Sequence, residues 1–268
     1  MALTPHSFMR REFWSAVDAA RCTSFAGVPY MYETLHRLRF TPSRHAQLRT
    51  LTQAGGALRP DLIAHFHEIA TASAARLVVM YGQTEATARI SYVPPDRLGE
   101  KIGSIGIAIP DGALSLSPVE GSEGMQELVY RGPNVMMGYA EQREDLALGD
   151  VQRGTLRTGD LGRADADGFH YVLGRLKRFA KLFGRRVSLE DVERELEASL
   201  PLRAAALDGG DRIVIHVVEH EPVGEERVRA HLARYLGVPP AAFGVRFVDV
   251  LPQTAAGKKD YRALEALE

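Results

Sequence analysis

Cysteine is nearly missing from this chain: Cys22 is the single one in 268 residues. That excludes an intrachain disulfide framework and a cysteine-rich metal site, and fits a reducing compartment. Cys22 itself reads as a small core residue. Net charge is nearly missing too, with 33 basic residues against 34 acidic ones. No overall field draws the protein to nucleic acid or an anionic membrane, so basic clusters must be read locally. No apolar run approaches the roughly 18 residues of a spanning helix. The start, Met1-Ala-Leu-Thr-Pro-His6, lacks a charged and then apolar leader. The expectation is a cytoplasmic protein without a membrane span. Internal repeats and low-complexity segments are also missing. What is present is a 45% hydrophobic composition, enough to bury a sizeable core in one large or two ordinary domains.

Residues 6–20 carry Phe8, Phe13, Trp14 and Val17 at helix-compatible spacing, and the apolar stretch from Cys22 to Val28 reads as a buried strand ended by Pro29. A helix with Tyr32, Leu35 and Leu38 follows, then a strand over 48–53, a turn at Gly55-Gly56, a helix opened by Pro60 with Leu62, Ile63, Phe66 and Ile69 on one face, and a strand over 76–81. Strand and helix alternate, which predicts a parallel α/β sheet over residues 1–100. From 101 to 173 the texture changes to short apolar segments (104–109, 127–130, 169–173) divided by Asp111-Gly112 and Asp167-Gly168, predicting an antiparallel, barrel-like subdomain. Residues 174–268 predict a small α+β domain. Ser188-Leu-Glu-Asp191 is a capping-box signature ahead of Leu189, Val192, Leu196 and Leu200, and a strand at 212–218, a helix at 225–236 and a strand at 245–250 follow. The fold class is therefore α/β, with residues 1–173 as one domain and 174–268 as a second.

Five strings stand out for their chemistry. Tyr81-Gly-Gln-Thr-Glu85 directly follows a buried strand, at the sheet edge where open α/β folds bind ligands. A glycine there admits close backbone approach, an aromatic ring can stack on a base, a threonine can donate to phosphate, and a carboxylate can hold Mg²⁺. The bland alternative is strand-to-helix punctuation with an anionic first turn. Gly55-Gly56-Ala57 sits at the same edge and is by itself an ordinary glycine turn. In Leu156-Arg-Thr-Gly-Asp160 a carboxylate could accept two sugar hydroxyls, or be a solvated Asp in a glycine turn. Gly174-Arg-Leu-Lys177, continuing through Lys181 and Gly184, carries a basic cluster that is generically a solvated face and less often a nucleic-acid patch; acidic residues follow at once, which disfavours nucleic acid. Pro252-Gln-Thr-Ala-Ala-Gly-Lys258 lacks the glycine spacing and the Ser/Thr of a phosphate-binding GxxxxGKS loop.

Taken in order, these strings resemble the motif series of adenylate-forming (AMP-binding) enzymes of the acyl-CoA synthetase and acyl-AMP ligase type, specifically their C-terminal portion. The resemblance runs from Phe25-Ala-Gly-Val-Pro29 to Lys258. It implies an AMP-forming carboxylic acid ligase: acid and MgATP give acyl-AMP and pyrophosphate, and the acyl group then passes to a thiol of coenzyme A or a phosphopantetheine carrier protein. On this resemblance Gly55, Gly56, Ala57, Tyr81, Gly82, Gln83, Thr84, Asp160 and Arg175 bind the nucleotide, with Asp160 on the ribose. Lys258, Glu85 and Thr84 are catalytic, and Glu85 also holds the metal. Lys177 is the hinge about which a small lid domain turns, and Lys181 with Gly184 lies on the loop facing the thiol. Ala26 stands where amino-acid-activating relatives usually carry Asp, which favours a fatty or aryl acid. The family's Ser/Thr/Gly-rich phosphate loop ending in Pro-Lys-Gly is absent from residues 1 to 80. The expectations are a fragment of a full ligase, one subunit of a split ligase whose partner chain supplies the loop, or a non-catalytic AMP-binding remnant.

Overall fold

The computed structural model describes residues 4–120, 124–176, 178–254 and 259–266. Lys177 and Lys258, expected as hinge and catalytic lysine, lie outside them. The chain forms two compact units, Met1–Leu173 and Gly174–Glu268.

In the first unit, helix α1 (Arg11–Ala19) precedes strand β1 (Ser24–Gly27), α2 (Pro29–Arg37), β2 (Thr50–Gln53), α3 (Pro60–Ala72) and β3 (Arg76–Tyr81). Pro29 and Pro60 each occupy the first turn of their helix, where a missing N–H costs nothing and the fixed φ is already helical. The three strands pair in parallel, β1 with β2 and β2 with β3. Phe25, Leu51 and Leu77 lie in one core with Tyr32 and Leu35 of α2 and Leu62, Ile63 and Phe66 of α3. Tyr32 is fully buried, its ring meets Phe66 edge-on, and its hydroxyl donates to Thr52 O at 2.9 Å. Burial pushes its phenol well above the usual range. At the other flank α1 has no fully buried residue, but Phe13 and Trp14 pack on Phe25. Cys22, expected in the core, is half-exposed because strand pairing begins only at Ser24.

After β3 a helix does not form. A single 3₁₀ turn (Thr84–Ala86) leads into the short antiparallel strands β4 (Ser91–Tyr92) and β5 (Ile107–Ala108), which close the five-stranded sheet. The barrel-like region is a four-stranded meander, β6 (Ala113–Pro118), β7 (Gln126–Arg131), β8 (Thr155–Ala164) and β9 (His170–Arg175), in that order. The string around Asp160 therefore lies inside a ten-residue strand, where a turn was one of the two readings.

The second unit begins with a hairpin, β10 (Phe179–Leu182) and β11 (Arg185–Ser188), followed by α4 (Leu189–Ser199), β12 (Leu202–Asp208), β13 (Ile213–Glu219), α5 (Glu225–Leu236), β14 (Phe243–Phe247) and α6 (Tyr261–Glu265). Ser188 caps α4, its Oγ accepting from Asp191 N–H at 3.2 Å. Strands β12, β13 and β14 form one sheet with β13 central. Val192 and Leu196 of α4 and Val228 and Leu232 of α5 share a core with Ile213, Ile215 and Val217. Strand β12 escapes the sequence reading because Ala204-Ala-Ala206 has helical rather than strand propensity; all three alanines are fully buried, and packing overrides propensity.

Candidate active site

Three chain segments emerge at the carboxyl ends of the three parallel strands: Val28-Pro29 after β1, Gly55–Ala57 after β2, and Gly82–Glu85 after β3. This is where an open α/β sheet presents backbone to a ligand. Gly55 has a φ of +84°, a left-handed conformation natural to glycine. A Cβ on Gly56 would come within 3.3 Å of Pro29 Cγ, so the first two segments pack tightly. Beneath the turn lies Gln53, only 1% exposed, whose amide donates to Gly56 O at 2.8 Å. Gly55, Gly56 and Ala57 themselves are exposed.

Gly82 has a structural reason to be glycine beside the one expected of it. Its role in the sequence reading was close approach of a ligand, and the chain's own return loop is a close neighbour as well: a Cβ would sit 2.4 Å from Ala88 O. Thr87 and Ala88 both take left-handed φ, 57° and 61°, an unfavourable state for side-chain-bearing residues. Asn134 holds that loop, its Nδ2 donating to Ala86 O at 2.7 Å and Arg89 O at 3.1 Å, while Tyr130 OH donates to Asn134 Oδ1 at 2.8 Å. Thr84 is exposed and Glu85 half-exposed. Glu85 Oε1 accepts from Tyr139 OH at 2.5 Å, and Glu85 O accepts from Met136 N–H. The hydrogen bond to the Glu85 carboxylate, more than burial, raises the Tyr139 phenol above its ordinary value.

Asp160 is 3% exposed and meets the third segment directly: Tyr81 OH donates to its Oδ2 at 2.5 Å, and Gln83 Nε2 reaches the same oxygen at 3.1 Å and Thr158 O at 2.8 Å. A bulge aims it there. Val129 pairs with Arg157 and Glu127 with Leu161, so Thr158-Gly159-Asp160 must be accommodated opposite Leu128 alone. Such bulges bend a strand and redirect its side chains. Gly159 takes a φ of +72°. Thr158 Oγ1 donates to Leu128 O at 2.8 Å and accepts from Asp160 N–H at 3.0 Å. The buried carboxylate of Glu127 accepts from Gly159 N–H at 2.9 Å and pairs with Arg157 at 2.5 Å. Every residue of the string has its place: Arg157 neutralises, Thr158 ties, Gly159 turns, Asp160 points.

The sequence-derived nucleotide set thus divides. Tyr81, Gln83 and Asp160 are hydrogen-bonded together, and Gly55–Ala57 stands at the same sheet edge. Arg175 ends β9 with an exposed side chain. Lys181 and Gly184, expected on a loop, lie on the β10–β11 hairpin, Lys181 in its first strand and Gly184 in its turn. Lys181 is opposite Arg186 on the β10–β11 ladder, and Phe183 and Gly184 form its two-residue turn with φ of 49° and 75°, both left-handed as a tight hairpin turn requires. Gln53, Glu127, Asn134 and Tyr139 escaped the sequence reading. The legible signal was Glu127, one charge beside the apolar run Leu128-Val129-Tyr130.

The oxygen chemistry at this edge fits a nucleotide and its Mg²⁺. Among the described residues no cluster of three His, Cys, Asp or Glu could hold a metal alone, and a single half-exposed carboxylate such as Glu85 suits Mg²⁺, which takes most of its ligands from phosphates and water. No helix of the described residues is long and apolar enough to cross a membrane.

Comparison with known proteins agrees. The model of the AMP-binding enzyme family matches residues 1–140, just over half the chain. A feruloyl-CoA synthase of Amycolatopsis is 32% identical, covering 91% of this chain and 51% of its own length. An Enterococcus faecalis 2-succinylbenzoate–CoA ligase is 26% identical over 94% of this chain and 53% of its own. Among solved structures, the O-succinylbenzoate coenzyme A synthetase of Bacillus subtilis in complex with ATP and magnesium superposes with a TM-score of 0.73 at 26% identity, covering 95% of this chain and 54% of that one. The chain belongs to the AMP-binding enzyme family, and its fold is that of the C-terminal portion of the adenylate-forming enzymes. It spans about half the length of the curated relatives it matches.

Proposed function

We propose that this chain carries the adenylate-facing sheet edge and the lid of an AMP-forming acid–thiol ligase. The observation that supports this best is the Asp160 arrangement: a buried carboxylate, aimed by a bulge at the carboxyl edge of a parallel sheet, beside an exposed Gly-Gly-Ala turn. A ribose presents two hydroxyls that such a carboxylate accepts, and the backbone at Gly55–Ala57 forms a wall for the base. Thr84, exposed at the start of the 3₁₀ turn, is available to phosphate oxygens. Glu85 would hold Mg²⁺, which when bound draws charge from the phosphates. Lys258, on the family resemblance, bridges the substrate carboxylate and the α-phosphate as the carboxylate oxygen attacks phosphorus and pyrophosphate leaves. A turn of the Gly174–Glu268 unit about Lys177 then exposes the acyl carbonyl to a thiol; the thiolate displaces AMP, leaving a thioester. The relatives' names favour coenzyme A as that thiol, and Ala26 favours an acid without an ammonium group.

The second step involves no β- or γ-phosphate, so it is independent of the phosphate loop absent from residues 1 to 80. The test is to give the chain preformed aryl-AMP and coenzyme A and measure thioester. Thioester formation is expected, with kcat/KM falling about 10- to 100-fold in Asp160→Ala, equivalent to ~1.4–2.7 kcal/mol. The reading fails if no thioester forms and an acyl-sulfamoyl adenosine shows no Asp160-dependent binding by calorimetry.

A further inference from the structure

In the small unit another buried carboxylate has no place in the chemistry above. Glu193 of α4 is 5% exposed and accepts four hydrogen bonds. Its Oε1 takes Arg178 at 2.5 Å and Ala206 N–H at 2.8 Å; its Oε2 takes Lys259 Nζ at 2.8 Å and Tyr261 OH at 2.9 Å. Its partners are tied to one another as well. Arg178 donates to Ala206 O at 2.8 Å and lies 3.6 Å from the centre of the Tyr261 ring, and Lys259 also reaches Glu197 at 2.9 Å and Ala204 O at 2.6 Å. Arg178 directly follows Lys177, and Lys259 directly follows Lys258. One carboxylate therefore holds the neighbours of two lysines 81 positions apart in sequence. Lys259 pairs across the chain with Gln253, and Asp260 N–H donates to Pro252 O at 2.8 Å, so both ends of the segment carrying Lys258 are fixed to the same body.

We infer that Glu193 is a positioning residue: through Arg178 and Lys259 it ties the segment that follows position 177 and the Gln253–Lys259 pairing that flanks position 258 to one helix, so that the flanks of both lysines are held together within the small unit. This rests on the ligase reading for what Lys258 does, but the mechanical coupling stands on the hydrogen bonds alone. Lys259 is the point at which to cut it, because Glu193 keeps Arg178, Tyr261 and Ala206 N–H in Lys259→Met and the fold survives.

The experiment compares Lys259→Met and Lys259→Arg with the wild-type chain in two readouts. By hydrogen exchange, the Asp260 amide of Lys259→Met is expected to exchange at least tenfold faster while β12 and β13 amides keep their protection, and Lys259→Arg restores it. With preformed acyl-AMP and coenzyme A, thioester formation, the step that does not call on Lys258, is expected to stay within threefold in Lys259→Met. Unchanged protection at Asp260, or thioester formation that falls in step with that protection, overturns the inference. If the wild-type chain forms no thioester yet Asp260 responds as stated, the coupling holds and it is the ligase reading that falls.

Discussion

Asp160 and Glu193 are buried to nearly the same degree, 3% and 5% exposed, yet they are served differently. The donors that reach Asp160 from β3 and the turn after it are a phenol and a carboxamide. Glu193 is held by a guanidinium and an ammonium as well as by a phenol and a backbone amide. Uncharged donors can be exchanged for the hydroxyls of a ligand at small net cost, since one neutral hydrogen bond replaces another. A buried ion pair cannot be opened so cheaply, because each separated charge keeps its desolvation penalty. The phenol and the carboxamide at Asp160 can therefore give way to a ligand, and the ion pairs of Glu193 suit a joint that must not open.

The sharpest way to break this contrast is to remove each carboxylate. Glu193→Ala takes the carboxylate from Arg178 and leaves Lys259 to Glu197 and Ala204 O, with those two side chains 13% and 17% exposed, and is expected to cost about 3–5 kcal/mol, the scale for breaking a buried pair. Asp160→Asn keeps an oxygen for Tyr81 and is expected to cost under about 1.5 kcal/mol while weakening adenylate binding. Urea denaturation of both variants measures this; equal losses would show that the two carboxylates do the same work. Next in size is Gly159→Ala. It forces a side chain into the left-handed region at the bulge, a strain of about 1–2 kcal/mol, and turns Asp160 away from Tyr81. Its expected signature is a binding loss for acyl-sulfamoyl adenosine that exceeds the stability loss.

These residues also show where sequence legibility stops. The site strings were readable because chemistry confines them to particular residue types at a sheet edge, and the alternating helix and strand of residues 29–81 were readable because Pro29, Pro60 and the apolar spacing agree. The bulge was not readable. Leu156-Arg-Thr-Gly-Asp160 has the composition of a turn, and only the register against β7 reveals that Gly159 bends a continuous strand. Nor was Glu193 distinguishable from Glu190, Glu195 or Glu197 on the same helix, since its four donors come from positions 178, 206, 259 and 261 and converge only in the folded unit. Local patterns are written in neighbouring residues, whereas a network's membership is set by long-range topology.

A third carboxylate lies between the two extremes and yields the smallest effect. Asp165, in the β8–β9 turn, accepts from Lys101 Nζ at 2.9 Å, Phe169 N–H at 2.9 Å and Tyr171 OH at 3.2 Å, and Lys101 also meets Asp167. The Lys101 hydrogen bond is the main reason that the Asp165 carboxyl is lowered to about 2. Because its folded value lies below the unfolded one of about 3.9, the charged form stabilises the fold at pH values above about 4, and that contribution disappears as pH falls through about 2. Lys101→Met should therefore be less stable than the wild type at neutral pH, and the gap between their denaturation midpoints should close between pH 4 and 2. Added salt should narrow the gap only slightly, since Lys101 is 11% exposed and Asp165 21% and partly buried pairs are poorly screened. A gap that persists at pH 2 would assign the Lys101 effect to its alkyl stem and its contact with the Phe169 ring, 4.9 Å from the ammonium, and would place this carboxylate with neither Asp160 nor Glu193.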